Sequence, residues 1–248
     1  ISTTELFYTD KGLPINEDKT WDYSNRYSLQ TGDDASRYYI KNGYVTAKTN
    51  FKREPRYYAD LAFDGGVYFG NGRLNQNDPY FVQGRGNSSY AGPHDRQWLN
   101  ITGYWPKKLV NYLTVYDENF TREPFHLPMM RLAGLYLLYA EALNEVSGPS
   151  GNVYTYIDKV RTRAGLPGVQ AAWSTWANNP GKVNTKEGLR QIIHQERRIE
   201  LCFEAQSGWD LRRWKELQSV LSSPMQGWSI YEKEAVNYYR PRTLIMPV

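Results

Sequence analysis

Between Met129 and Val146 the apolar residues Leu132, Leu135, Tyr136, Tyr139, Ala142, Leu143 and Val146 recur three and four positions apart. That spacing draws one stripe along an α-helix, and Gly148 with Pro149 ends it. A second helix over about Asn152 to Arg163 carries Val153, Ile157 and Val160 on one face. It stops at Ala164-Gly165-Leu166-Pro167, where Gly accepts a left-handed backbone and Pro cannot continue the helix. A third helix is predicted to start with Asn184 as N-cap and Glu187 three residues on, and to run through Leu189, Ile192, Ile193 and Ile199 to Phe203. A fourth, Asp210 to Leu221, ends before Ser222-Ser223-Pro224. Antiparallel pairs of such helices, with Ala133, Gly134 and Ala140 at close-approach positions, resemble tetratricopeptide-like hairpins. No second copy of a unit at a period of about 34 residues is present, so the sequence itself carries no repeat.

Before Pro128 the pattern changes. Residues 1–127 are rich in turn formers and rings, and most of the chain's 8 Trp, 21 Tyr and 8 Phe fall in this half. The chain therefore divides into a loop-rich, aromatic-rich region, 1–127, and a helical region, 128–248, of one domain. The fold class expected is mainly α, helical hairpins carrying long irregular loops. The stretch Asn71 to Asn100 is the extreme case: five Asn, three Gln, four Gly and the rings Tyr80, Phe81, Tyr90 and Trp98, against only Leu74, Val82 and Leu99 as large aliphatics. Such a segment cannot bury much core, and a loop of this length is usually functional or disordered.

Composition adds limits. At 248 residues, 40% hydrophobic and 23% charged, the chain has an ordinary globular balance. A net charge of +4, from 30 basic and 26 acidic residues, is weak. The basic residues are scattered except for Arg197-Arg198 and Arg212-Arg213, which read as helix faces, so no nucleic-acid partner is expected. The lone Cys202 lies in an apolar run and behaves as a small buried hydrophobe; no disulfide can form within the chain. No stretch approaches the ~18 consecutive apolar residues of a membrane helix, and residues 1–5 lack the features of a signal peptide.

Signatures of catalysis are sparse. His94, His126 and His194 are far apart and none has a ligand-spaced Cys or His beside it, so no metal site is expected. There is no G-x-S-x-G, and Cys202 lacks an electropositive setting for nucleophilic work. Gly65 to Gly72 is glycine-rich but lacks the Lys-Ser/Thr of a phosphate loop, and reads as turns. Glu141 with Glu145, and Glu200 with Glu196 or Glu204, are spaced as carboxylates commonly are on solvated helices. A glycosidase pair must lie across a sugar, which sequence spacing does not define. No cofactor is called for, with a structural calcium the one ion left open.

Sugars present C–H faces that stack on flat rings and hydroxyls that bond to amides and guanidinium groups. Trp98, Tyr80, Tyr90 and Phe81, flanked by Tyr68 and Trp21 and accompanied by Asn77 and Arg96, are therefore the candidate glycan-binding residues. The competing reading is that these rings pin a long loop onto the helices beneath it. Glu196 lies on the same stripe as Leu189, so its carboxylate should face other protein groups and need a cation, for which Arg161 and Arg163 are the candidates. These three, with Arg197 and Asp210, form the set assigned a structural role.

Several of these segments match a known pattern. Met130 to Glu145, MRLAGLYLLYAEALNE, resembles the "RLAE-YL-YAEALNE" helix of the SusD/RagB family. Val160 to Pro167, VRTRAGLP, resembles its "VRxRAGLP" hairpin end, and Glu196 to Leu201 with Trp209 to Trp214 its "ERRIEL…DLRRW" pair. Thr4-Glu5-Leu6 with Asp10 to Ile15 is similar to the family's "TxEL…DGLPI", Arg53 to Tyr58 to its "RDPRFY", and Thr102-Gly103-Tyr104 with Lys107-Lys108 to its "TGY…K". The order is kept from Thr4 to Trp214. Two departures stand out: Gly134 where the family has Glu, expected to remove a salt bridge, and Ala205 to Gly208 in place of "GxRW", expected to reshape the start of a helix.

The resemblance, to the C-terminal region of that family, implies a right-handed superhelical fold of tetratricopeptide-like hairpins whose long loops form the ligand face. It also implies a non-catalytic protein that binds an oligosaccharide at the cell surface, at the outer membrane, and delivers it to a SusC-like TonB-dependent transporter. Membrane association would come only through a lipid anchor on an N-terminal part that this chain does not include. A protein-interaction scaffold docking the transporter, or capture of peptide instead of glycan, are the alternatives.

Overall fold

The computed structural model describes residues 1–94, 99–116, 119–124, 126 and 128–244. Among these the chain is dominated by helices: α1 Ser2–Leu6, α2 Pro55–Asp60, α3 Leu132–Ser147, α4 Gly151–Arg163, α5 Val169–Trp176, α6 Lys186–Glu200, α7 Ser207–Arg213, α8 Leu217–Leu221 and α9 Ala235–Tyr238. The strands are short and pair two by two, all antiparallel. β1 Leu29–Thr31 pairs with β2 Val45–Ala47, β3 Leu61–Phe63 with β6 Tyr104–Pro106, β4 Val67–Tyr68 with β5 Tyr80–Phe81, and β7 Gln226–Gly227 with β8 Arg242–Thr243.

Helix α3 lies against α4 and α6, and the face it buries is not the predicted stripe. Gly134, Leu137, Ala140, Glu141 and Asn144 are buried. Leu132, Tyr139 and Val146 of the stripe are 58%, 50% and 86% exposed. Small residues decide this. Gly134 and Ala140 let the neighbouring helices approach closely enough for backbone polar groups to be used: Arg197 Nη1 donates to the Gly134 carbonyl at 2.8 Å, and Asn144 Nδ2 to the Lys186 carbonyl at 2.9 Å. A helix with two apolar faces can be seated on either, and here the tighter contact is made by the smaller one.

Helix α4 does bury Val153, Ile157 and Val160. The cap of α6 is Thr185, one residue later than predicted: its Oγ1 accepts from the Gly188 N–H at 3.1 Å, while Asn184 closes a 3₁₀ turn over Lys182–Asn184. The predicted fourth helix is two, α7 and α8. Lys215 breaks them with φ +61°, just after Trp214, whose Nε1 donates to Glu141 Oε1 at 3.0 Å. Helix α5 carries no strong sequence signal and is formed by Val169, Ala172 and Trp173 packing inward.

Two apolar clusters hold the molecule. One gathers Leu13, Ala140, Ile157, Val169, Trp173, Leu189, Ile192 and Ile193 between α3, α4, α5 and α6. The other is built largely from rings, among them Phe7, Tyr8, Tyr57, Phe63, Tyr104, Trp228 and Tyr238, with Ile40 and Ile199. Many of the rings of the first 127 residues are thus core, joined to residues from the last third of the chain.

Between the clusters runs a chain of ion pairs. Arg161 Nη1 lies 3.0 Å from Glu196 Oε2, both fully buried, and Arg56 Nη2 lies 2.8 Å from Glu196 Oε1. Arg56 also pairs with Glu54 at 2.6 Å and Glu200 at 2.9 Å. Arg163, the other candidate for Glu196, pairs instead with Glu200 at 2.5 Å, and Arg131 bridges Glu200 and Glu204. Arg197 Nε donates to Asp210 Oδ2 at 2.7 Å. Of the spaced carboxylates, Glu141, Glu196, Glu200 and Glu204 do not lie on solvated faces but are buried among cations, which offsets the cost of taking them out of water, whereas Glu145 stays partly exposed beside Arg190 and Lys186.

Candidate functional site

The β4–β5 pair sets out the site, with Val67 opposite Phe81 and Tyr68 opposite Tyr80. Because side chains alternate along a strand, Tyr68 and Tyr80 share one face of the ribbon. The chain then turns at Gly70, φ +110°, where a Cβ would collide with the Tyr112 carbonyl oxygen. Asn71 follows in the left-handed region, φ +51°. Its N–H donates to the Tyr112 carbonyl at 3.1 Å and its Oδ1 accepts from the Tyr116 N–H at 2.7 Å. Gly70 and Asn71 thus clamp the hairpin to the segment around residues 112–116, and rings from both come together.

Two cavities of about 350 Å³ each adjoin there, with Tyr68 and Asn71 in the wall of both. The first is walled by Tyr38, Tyr39, Tyr58, Phe69 and Tyr112, with Lys107, Lys108, Asn111 and Thr114 as polar groups. Tyr39 stacks on Tyr58 with centroids 4.2 Å apart and planes 18° from parallel. Helix α2 supplies Tyr58, which is itself anchored by an O–H donated to the Asn50 carbonyl at 2.8 Å. The second cavity is walled by Tyr80, Phe81, Tyr90, Trp105 and Tyr116, with Gln83. Tyr90 and Tyr116 stand at its rim, 91% and 65% exposed. The Arg73 guanidinium lies over the Tyr80 ring, 4.3 Å from its centroid.

The charges are unevenly placed. Lys107 and Lys108 follow β6, where the Lys107 N–H donates to the Asp60 carbonyl at 2.7 Å and continues the β3–β6 ladder. Successive side chains diverge. Lys108 Nζ lies 2.9 Å from Glu204 and 3.3 Å from Asp60, and donates to the Glu200 carbonyl at 2.8 Å. Lys107 Nζ stands 5.8 Å from the centre of the Tyr68 ring, and among the described residues it has no carboxylate within salt-bridge distance. Burial pulls its ammonium down to about 8, against the Asp60 charge, which acts the other way. Burial also raises Asp60, to about 6, against the pull of Lys108. Tyr68 is raised by burial and by Tyr116.

Of the residues singled out from the sequence, Tyr68, Tyr80, Phe81 and Tyr90 line the second cavity. Trp21 and Asn77 line neither cavity: Trp21 Nε1 reaches toward the Phe51 carbonyl at 3.5 Å, and Asn77 is exposed in a turn, its N–H donating to Asn75 Oδ1 at 3.0 Å. Trp98 and Arg96 lie outside the described residues. Sequence reasoning passed over Asn71, Trp105, Lys107, Tyr112 and Tyr116. The Gly70-Asn71 pair, a turn signal between ring-bearing segments, and the two lysines after Thr102-Gly103-Tyr104 were the available clues.

A family model described as the SusD family matches residues 1–243. The chain belongs to the SusD family. SusD-like proteins P25 and P2 of Formosa agariphila are 39% identical over 93 residues and 38% identical over 86 residues. These stretches are 38% and 35% of this chain but 16% of each relative. Among solved structures, BT4246 superposes with a TM-score of 0.76 at 24% identity, over 98% of this chain and 38% of its own. A SusD-like protein of Bacteroides fragilis superposes at 0.63, with 23% identity, over 92% of this chain and 38% of its own. Another from that organism, titled a SusD-like carbohydrate binding protein, does so at 0.55, with 21% identity, over 91% of this chain and 37% of its own. The chain thus spans well under half the length of these SusD-family relatives, and the helical architecture is the part of them it shares.

Proposed function

We propose that this chain is the glycan-capturing part of a surface nutrient-binding protein that works without catalysis and without a cofactor, passing oligosaccharides to a SusC-like TonB-dependent transporter. The observation that carries the reading is the pair of ring-walled cavities that meet at Tyr68 and Asn71. Adjoining flat faces suit consecutive sugar units, whose C–H surfaces stack on rings while hydroxyls meet Asn71, Asn111, Thr114 and Gln83. Among the described residues no Asp or Glu lines either cavity, whereas glycoside hydrolysis needs two carboxylates across the bond. Membership of the SusD family, and the carbohydrate-binding title of one structural neighbour, support the same assignment. Outer-membrane, surface-exposed placement through a lipid anchor on the N-terminal side belongs to this proposal.

Affinity electrophoresis against a panel of polysaccharides tests it, with Tyr68→Ala and Trp105→Ala beside the unaltered chain. Retardation by at least one polysaccharide, lost in both variants while their thermal unfolding is unchanged, is the expected result. Retention of every mobility shift in both variants, or capture of peptides with no glycan retarded, would overturn the assignment.

A further inference from the structure

The two cavities differ in one respect that the capture of sugars in general does not explain. Among the described residues the second has no ionisable group other than tyrosines in its wall, and the first holds two ammonium groups, of which that of Lys107 has no carboxylate within salt-bridge distance. From the adjoining Tyr68 and Asn71, and from Lys107, whose Nζ has no salt-bridge partner among the described residues, we infer that the ligand is an acidic glycan whose anionic group, a carboxylate or a sulfate ester, sits in the first cavity beside a neutral unit in the second. This rests on the glycan-capture reading and adds the ligand's charge to it.

Lys108, one residue on, shows what this fold does with a lysine that serves structure: it is bound to Glu204, Asp60 and the Glu200 carbonyl. Lys107 and Lys108 both border the first cavity, but of the two only Lys108 has carboxylate partners among the described residues, and the rest of the wall is rings, amides, a hydroxyl and aliphatic groups. A half-buried cation in that setting has lost part of its hydration with no salt-bridge partner among the described residues, only the more distant Asp60 charge, and a ligand anion is the group that would restore the balance. Its position follows from the backbone, because the Lys107 N–H closes the β3–β6 ladder on the Asp60 carbonyl and fixes where the side chain departs. The depressed value of the ammonium accords with this unpaired state and still leaves it mostly charged at pH 7. Asn111 and Thr114 on the same wall supply neutral partners for an acidic sugar's remaining oxygens.

The test uses acidic polysaccharides, among them polygalacturonate, alginate and a sulfated galactan, each beside its carboxyl-reduced or desulfated counterpart. Binding is measured for the unaltered chain and for Lys107→Met, Lys107→Arg and the exposed-lysine control Lys19→Met. The expected result is retention of at least one acidic polymer, weakened about tenfold or more by removing its anionic groups. The same preference should vanish in Lys107→Met and survive in Lys107→Arg and Lys19→Met, and the carboxyl-reduced and desulfated arms identify which anion is read. Binding only of neutral polymers, equal binding of an acidic polymer and its neutral counterpart, or a preference that persists in Lys107→Met overturns the inference while leaving glycan capture standing. Retention of no glycan of either kind overturns both.

Discussion

Arg161 donates from Nη1 to Glu196 Oε2 at 3.0 Å, and neither side chain meets solvent. A pair this deep exists only because each member has further partners. Arg161 also donates to the carbonyls of Pro167 and Gly12, and Glu196 meets Arg56 through its other oxygen. Gly12, at φ +73°, is glycine for the same reason, since a Cβ there would strike the Arg161 guanidinium. The result ties the turn at Gly12, α2, α4 and α6 into one unit.

Removing Glu196 should therefore cost far more than removing a surface carboxylate. Glu196→Ala leaves two buried cations, Arg161 and Arg56, facing each other, and a loss of about 3–5 kcal/mol in urea unfolding is expected. Asp34→Ala, which breaks the exposed pair with Arg37, should change stability by less than about 1 kcal/mol. Equal effects of the two substitutions would show that the buried pair does not hold the unit together.

The two faces of α3 give a second contrast. Leu137 is buried, and Leu137→Ala should cost about 2–5 kcal/mol through lost contacts and the cavity left behind. Val146 belongs to the stripe that periodicity selects, yet it is exposed, and Val146→Ser should move the unfolding midpoint by no more than about 0.5 kcal/mol. A reversed order would mean that α3 buries its other face.

Acid should weaken the contact of α3 with α7. Burial alone would raise the Glu141 carboxyl, but His194, Arg213 and Trp214 around it outweigh burial and hold it down to about 2. With the folded value below the ordinary 4.5, the stability this site contributes is complete above about pH 5.5 and is lost as pH falls through 4.5 towards 2. The amount is on the order of 2–3 kcal/mol. Urea midpoints at pH 7, 4 and 2.5 should fall more steeply for the unaltered chain than for Glu141→Gln; parallel curves would remove Glu141 as the acid-sensitive group.

Capture of an acidic glycan should fade in mild alkali. Lys107, at about 8, loses its charge between pH 7 and 9, while Asp60, at about 6, is already ionised at the start of that window. Burial holds Tyr58 and Tyr68 above the ordinary tyrosine value, Lys108 stays with Glu204, and Tyr38, Tyr39 and Tyr112 complete the wall. Affinity for the acidic polymer should drop about tenfold from pH 7 to pH 9.5, with the neutral counterpart unaffected. A fall of the same size for both polymers would place the titration outside this contact.

Family membership and the longer helices α3, α4 and α6 were legible in the chain because they depend on local order. Periodicity, the Gly-Pro stop after Arg163 and the run of motifs from Thr4 to Trp214 are all read without knowing what packs on what. The site was legible only in part. Tyr68, Tyr80, Phe81 and Tyr90 border the cavities, the last three marked by rings in an aliphatic-poor loop, while Asn71 and Lys107 carry only a turn signal and a lysine pair and Tyr116 no local mark. Trp105 is equally silent, one ring among many in a half where Tyr57, Phe63 and Tyr104 are core.

What the sequence by itself determined, then, is the kind of elements this protein has and the family they belong to. Tertiary structure alone decided which face of α3 is buried, which arginine Glu196 takes, and which of two adjacent lysines pairs with carboxylates of the described residues. The reason is the same in each case. A helix with an apolar stripe and a small-residue stripe, a carboxylate with two nearby arginines, and a lysine pair after a strand each satisfy local rules in two ways. Contacts between residues as distant in the chain as Asn71 and Tyr116, or Arg161 and Gly12, select one of them.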